Sequence, residues 1–149
     1  MKSLRFILFL FVVGMAVACS KQEMRSKNFE KGEKWRVASV AISGDTTIYD
    51  LGNWNVKESD SLYNTKTVAW KRRGQQPSYF HWDFSKDGKQ FIISVDPSTA
   101  ADYFSVLLQN LAGNYKIEKS TTNVIRISSS STQGISGKNA TIEIWRMKY

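Results

Sequence analysis

Apolar and polar positions alternate with a period of two along much of the chain, the mark of strands buried on one face. The clearest stretch is Phe80, Trp82 and Phe84, interleaved with His81, Asp83 and Ser85. Asp87-Gly88 follows and suits a two-residue type I′ turn, whose central residues both need positive φ. Pairing Lys86 with Lys89 then sets the register by counting. Phe84 faces Phe91, Trp82 faces Ile93 and Phe80 faces Val95, all on one face. The other face sets His81 against Ser94 and Asp83 against Ile92. Aromatic and β-branched cross-strand pairs each contribute roughly 0.2–1 kcal/mol, so pattern and turn chemistry predict one hairpin.

Further strands follow from the same reasoning. Tyr115 and Ile117 alternate with Lys116 and Glu118, and Ser120-Thr121-Thr122 reads as a loop. On the return, Ile125 faces Ile117 and Ile127 faces Tyr115. The run from Ser128 to Gly134 is polar loop. In the last strand, 140–149, Ala140, Ile142 and Ile144 share one face while Trp145, Met147 and Tyr149 share the other. That switch suggests a bulge or a strand covered on both sides. Upstream, 35–42 and 46–51 read as strands, 52–55 as loop, and 62–71 as a strand with Val68 and Trp70 inward. Residues 71–78, KRRGQQPS, form a basic loop. One segment breaks the pattern. Asp96-Pro97 suits a helix start, and Ala100, Phe104, Leu107, Leu108 and Leu111 keep helical spacing up to Gly113. A helix over 97–112 is favoured, with a strand at 103–108 the alternative. Seven or eight strands on short turns predict a mainly β fold, a small antiparallel up-and-down barrel or sandwich with one short helix.

The N-terminus obeys different rules. Lys2 and Arg5 precede an uncharged run, 6–18, that ends Ala16-Val17-Ala18-Cys19. A spanning helix needs about 20 apolar residues, so this shorter run reads as a secretory signal peptide. Its ending resembles the bacterial lipoprotein signal, in which the Cys is diacylated and becomes the mature N-terminus. The one Cys of the chain stands where that chemistry requires it. The resemblance implies lipidation at Cys19, membrane association through that lipid, and, with Ser20 after the Cys, an outer-membrane lipoprotein of the cell envelope facing the periplasm. Ser20 to Glu33 is polar and lacks apolar periodicity. It reads as a flexible tether reaching about 20 Å. The expected organisation is therefore signal peptide 1–18, tether 19–33 and β domain 34–149.

A lipidated start, a strand opening at Trp35, the run Phe80-His81-Trp82-Asp83-Phe84-Ser85-Lys86-Asp87-Gly88-Lys89, and closing strands at 115–117, 125–127 and the C-terminus together resemble the lipocalin-like (calycin-type) lipoproteins of Bacteroidetes. The likeness spans residues 33–149. It implies a barrel that binds a small hydrophobic or amphipathic ligand. The opening Gly32-Glu33-Lys34-Trp35 spaces glycine and tryptophan wider than the Gly-x-Trp of that family.

Composition narrows the chemistry. The chain has 149 residues, 42% of them hydrophobic and 23% charged, which is the composition of a globular domain rather than of a disordered chain. One Cys and one His exclude an internal disulfide and multi-His or multi-Cys metal sites. No cofactor motif is present. His81 is the one general-base candidate near neutral pH and reads as a strand polar residue. Asp83 shares its face by ordinary alternation, and Glu58 with Asp60 forms a carboxylate pair in a loop. An enzyme is not expected. The formal net charge is +8. Lys71, Arg72 and Arg73 form the densest basic cluster, suited to an anionic partner or to a solvated loop tip. Nucleic acid does not fit an exported chain. Trp54, Trp70, Trp82, Phe84 and Trp145 are the candidate ligand-lining residues, or else core. Two functions remain: a ligand-binding barrel with an apolar cavity, and a scaffold or accessory subunit of an envelope assembly with a packed interior and a functional surface.

Overall fold

The structure is a computed structural model that describes residues 21–42, 51–56, 66–96, 108–130, 132 and 139–148. The strands are β1 (Lys34–Ile42), β2 (Asn53–Asn55), β3 (Thr67–Lys71), β4 (Ser78–Phe84), β5 (Gln90–Ser94), β6 (Gly113–Ser120), β7 (Val124–Ser129) and β8 (Ala140–Arg146). Each pairs antiparallel with the next, and β8 returns to β1, closing the barrel. Closure settles the choice between barrel and sandwich and leaves no free sheet edge.

Alternation builds the interior. Phe80, Trp82 and Phe84 of β4 are buried, as are Phe91 and Ile93 of β5. Their register is the one expected: Phe84↔Phe91, Trp82↔Ile93 and His81↔Ser94. The turn differs. Gly88 takes φ 68°, whereas Asp87 does not enter the positive region. The Asp87 carboxylate instead accepts hydrogen bonds from the Lys89 amide at 3.0 Å and the Ser85 hydroxyl at 2.6 Å. Side-chain capping by Asp87 thus replaces one left-handed residue, and the pairing is preserved.

The hairpin of β6 and β7 shifts from expectation. Ile117 pairs with Ile127, and Ser120 with Ile125, with a bulge between Ile117 and Lys119. The tight turn at Thr121, whose hydroxyl and amide both bond Val124, moves the register by two residues. Ile125 and Ile127 therefore stay inward. In β8 no face switch occurs: Ala140, Ile142 and Ile144 are buried and Trp145 is exposed. The bulge lies across from it in β1, between Val37 and Ser39. It lets both Val37 and Val40 face the core. Trp54, expected in a loop, is the middle of β2, paired with Trp35 and Trp70. The expected strand 46–51 falls almost wholly outside the described residues. Of the expected 97–112 helix, 108–112 are described; 108–110 are helical and 111–112 lie past its end, with Leu108 and Leu111 fully buried.

The largest departure is at the N-terminus. Residues 21–31 are not an extended tether but a helix, α1. Gln22, Arg25, Ser26 and Phe29 form its inner face. Phe29 is completely buried in the barrel end. Its ring lies 4.7 Å from Trp82, 5.4 Å from Phe91, 5.6 Å from Trp35 and 6.4 Å from Phe84. Polar clasps surround this plug. Gln22 Nε2 donates to the Phe84 carbonyl at 2.6 Å, the Arg25 guanidinium to that of Gly88, and Arg146 Nη2 to that of Lys31 at 2.7 Å. A helix whose two large apolar side chains, Met24 and Phe29, fall on opposite faces has no apolar stripe to read, yet burying a single Phe is worth about 1.5–3 kcal/mol.

Gly32 then turns the chain into β1. A Cβ at this position would sit 2.3–2.5 Å from the Trp35 indole, so the glycine is required by close packing. The same indole donates to the Phe29 carbonyl at 3.0 Å.

Candidate functional site

The strands leave the barrel with two unlike ends. At one end lie α1, the β4–β5 and β6–β7 turns and the end of β8. At the other lie the exits from β1, β3, β5 and β7. Phe29 stoppers the first end. The inner wall is apolar: Trp35, Val37, Val40, Trp54, Val68, Trp70, Phe80, Phe91, Ile127 and Ile142 are all buried, and Ser129 is a polar exception near the second end.

Four of the five candidate ligand residues meet inside this wall. Trp54 is 5.5 Å from Trp70 and 4.9 Å from Phe80. Phe91 lies between Trp54 and Trp82, stacked at 6.3 and 6.2 Å with interplanar angles of 12° and 7°. Phe84 packs edge-on to Trp82 at 5.9 Å. Trp145 is not with them. It lies on the outer face, 48% exposed, its indole N–H donating to Glu143 Oε1 at 2.7 Å.

The indoles divide by hydrogen bonding. Trp35 and Trp70 donate to the Phe29 and Leu51 carbonyls, at 3.0 and 2.5 Å. The buried N–H groups of Trp54 and Trp82 have no partner. A buried donor without an acceptor costs about 1–3 kcal/mol. The interior therefore offers two donors to an acceptor atom. Tyr115 is satisfied, its hydroxyl donating to the Leu111 carbonyl at 2.5 Å. Burial pushes its phenol well above the usual tyrosine range, so it stays neutral.

Other candidates lie elsewhere. Lys71 ends β3, and Arg72 and Arg73 follow in the β3–β4 loop at the end remote from α1. His81 faces outward and is half-buried, its Nδ1 3.2 Å from the Thr67 hydroxyl. Asp83 accepts from Lys66 Nζ at 2.8 Å. Partial burial alone would raise its pKa; the Lys66 and Phe84 N–H donors outweigh that and hold it below the usual value. Among the described residues no three potential ligands converge on a metal position, and no helix is long and apolar enough to cross a membrane. Cys19 and the Glu58/Asp60 pair lie outside the described residues.

The α1 end carries what sequence reading missed. The exposed residues of α1 are Lys21, Glu23, Met24, Lys27, Asn28 and Lys31. Beside them a surface groove of about 450 Å³ is lined by Lys31, Gly32, Glu33, Asn123, Arg146 and Lys148, together with Met147. The groove joins the end of α1, the β6–β7 turn and the chain's end, segments far apart in sequence, so no local motif marked it.

Comparison with family models, curated proteins and solved structures returns no match. The fold and the chemistry of its two ends carry the functional reading.

Proposed function

We propose that this chain is an envelope lipoprotein, tethered by a lipid on Cys19 at the outer membrane and facing the periplasm. Its lipocalin-like barrel binds a small hydrophobic or amphipathic molecule. The observation that carries the ligand reading is the closed barrel with an apolar wall and one end stoppered by Phe29. Such an apolar wall is the lining that an apolar guest requires. A guest with one acceptor atom would also satisfy a free indole N–H of Trp54 or Trp82.

The Trp54–Phe91–Trp82 stack favours a second reading. It fills the middle of the barrel, as expected of a scaffold or accessory subunit that works through its surface. Native mass spectrometry of the protein purified from its own cells separates the two. A co-purifying small molecule supports the binding barrel, and a stoichiometric protein supports the scaffold. The tether has its own test. Cys19→Ala should release the protein from membranes, and retention in the membrane fraction would overturn the lipid anchor.

A further inference from the structure

We infer that the α1 end of the barrel is a bilayer-docking face that recognises anionic phospholipid headgroups. This deepens the envelope reading and rests on it only for the nearness of the membrane. Cys19 precedes the first described residue, Lys21, by two positions. An extended chain gains about 3.5 Å per residue, so a lipid on Cys19 leaves about 7 Å of slack. The helix it leads into is not free to swing. Phe29 is sunk in the barrel, and Gln22, Arg25 and Arg146 bind α1 to the strands or their turns. A membrane reached through Cys19 must therefore meet this end.

The chemistry of the face fits such a surface. Lys21, Lys27 and Lys31 project from the outer side of α1, and Arg146 and Lys148 line the groove beside Lys31. Against them stand Glu23, Glu30 and Glu33, with Asp87 in the neighbouring turn already bonded to Ser85 and Lys89. Met24, 58% exposed, sits amid the lysines, and Trp145, 48% exposed, flanks the same end. Cations around an exposed apolar side chain are the pattern of interfacial helices, which combine attraction to anionic lipid with shallow apolar insertion. Tryptophan suits the headgroup level because one edge is apolar and the other donates.

The test compares partitioning of the protein, isolated with its native N-terminus, between vesicles of phosphatidylcholine and vesicles that also contain phosphatidylglycerol. Any acyl anchor contributes equally to both, so the ratio reports the headgroups alone. A clear preference for phosphatidylglycerol is expected, and added salt should erase it. Each lysine near an anionic surface strengthens binding about fivefold. The triple variant Lys21→Gln, Lys27→Gln, Lys31→Gln should cut the preference roughly a hundredfold. The variant Lys71→Gln, Arg72→Gln, Arg73→Gln, at the opposite end, should leave it unchanged. Equal partitioning into the two vesicle types, or a loss caused by the second variant and not the first, overturns the docking face. The mass of the N-terminal peptide reports lipidation separately, so loss of the anchor and loss of the docking face read differently.

Discussion

Replacing Phe29 with alanine removes the stopper and nothing else. The ring is fully buried and contacts Trp35, Trp82, Phe84 and Phe91 at 4.7–6.4 Å. Truncating a core phenylalanine costs about 3–5 kcal/mol, the higher figures applying where neighbours cannot collapse into the void. Here they cannot, because strand pairing fixes the four partners. That is a large share of the 5–15 kcal/mol that stabilises a typical domain. At about 3–4 °C per kcal/mol for a chain of this size, the midpoint of thermal unfolding should fall by about 10–20 °C. Urea unfolding followed by tryptophan fluorescence gives the free energy directly, with Met24→Ala on the outer face of α1 as the control expected to change little. A Phe29→Ala loss below about 1 kcal/mol, no larger than the control, would refute the plugged barrel and restore residues 21–31 to a free tether.

Four further outcomes are expected. Gly32→Ala drives a Cβ to within 2.3–2.5 Å of the Trp35 indole and should cost about 1–3 kcal/mol by overpacking, read as a lower urea midpoint at unchanged slope. Trp70→Phe leaves the Leu51 carbonyl without its donor and should destabilise by at least the roughly 1–3 kcal/mol of a buried unsatisfied group, measured the same way. For Glu143, partial burial would raise the pKa, but hydrogen bonds from Trp145 and Arg126 hold it below the usual carboxylate range. Its stabilising share is present above the ordinary glutamate pKa and lost as pH falls through the lowered one, so Glu143→Gln should flatten the acid side of a stability–pH profile. The double variant Phe29→Ala, Trp82→Ala should fall short of the sum of its single losses by about 0.5–1.5 kcal/mol, the coupling of an aromatic pair.

Sequence pattern carried the barrel further than it carried the site. Phe80 to Ile93 reads without ambiguity because alternation and the Asp87-Gly88 turn agree, and the register survived even though Asp87 capped the turn in another way. The shift between β6 and β7 was hidden because Ile117 pairs correctly with either isoleucine as far as face is concerned; only turn geometry chooses between them. Trp54 was misplaced because three residues, Asn53–Asn55, are too few to display a period. The α1 segment was invisible for a related reason. A helix that buries one ring end-on needs no apolar stripe, since its remaining contacts are clasps from side chains to backbone carbonyls. The groove at Lys31 and Arg146 could not be read at all, because it exists only once α1, the β6–β7 turn and the end of β8 have come to the same end.

The seam between β1 and β8 has a consequence for how the molecule is made. The guanidinium of Arg146 holds a carbonyl 115 residues earlier, and β8 is the last of the barrel's strands in chain order. The ring of strands cannot shut before β8 is available to pair with β1, so a growing chain stays open until then, and pairings this distant form slowly. Trimming the terminal strand should therefore abolish the native state altogether rather than fray one edge of it.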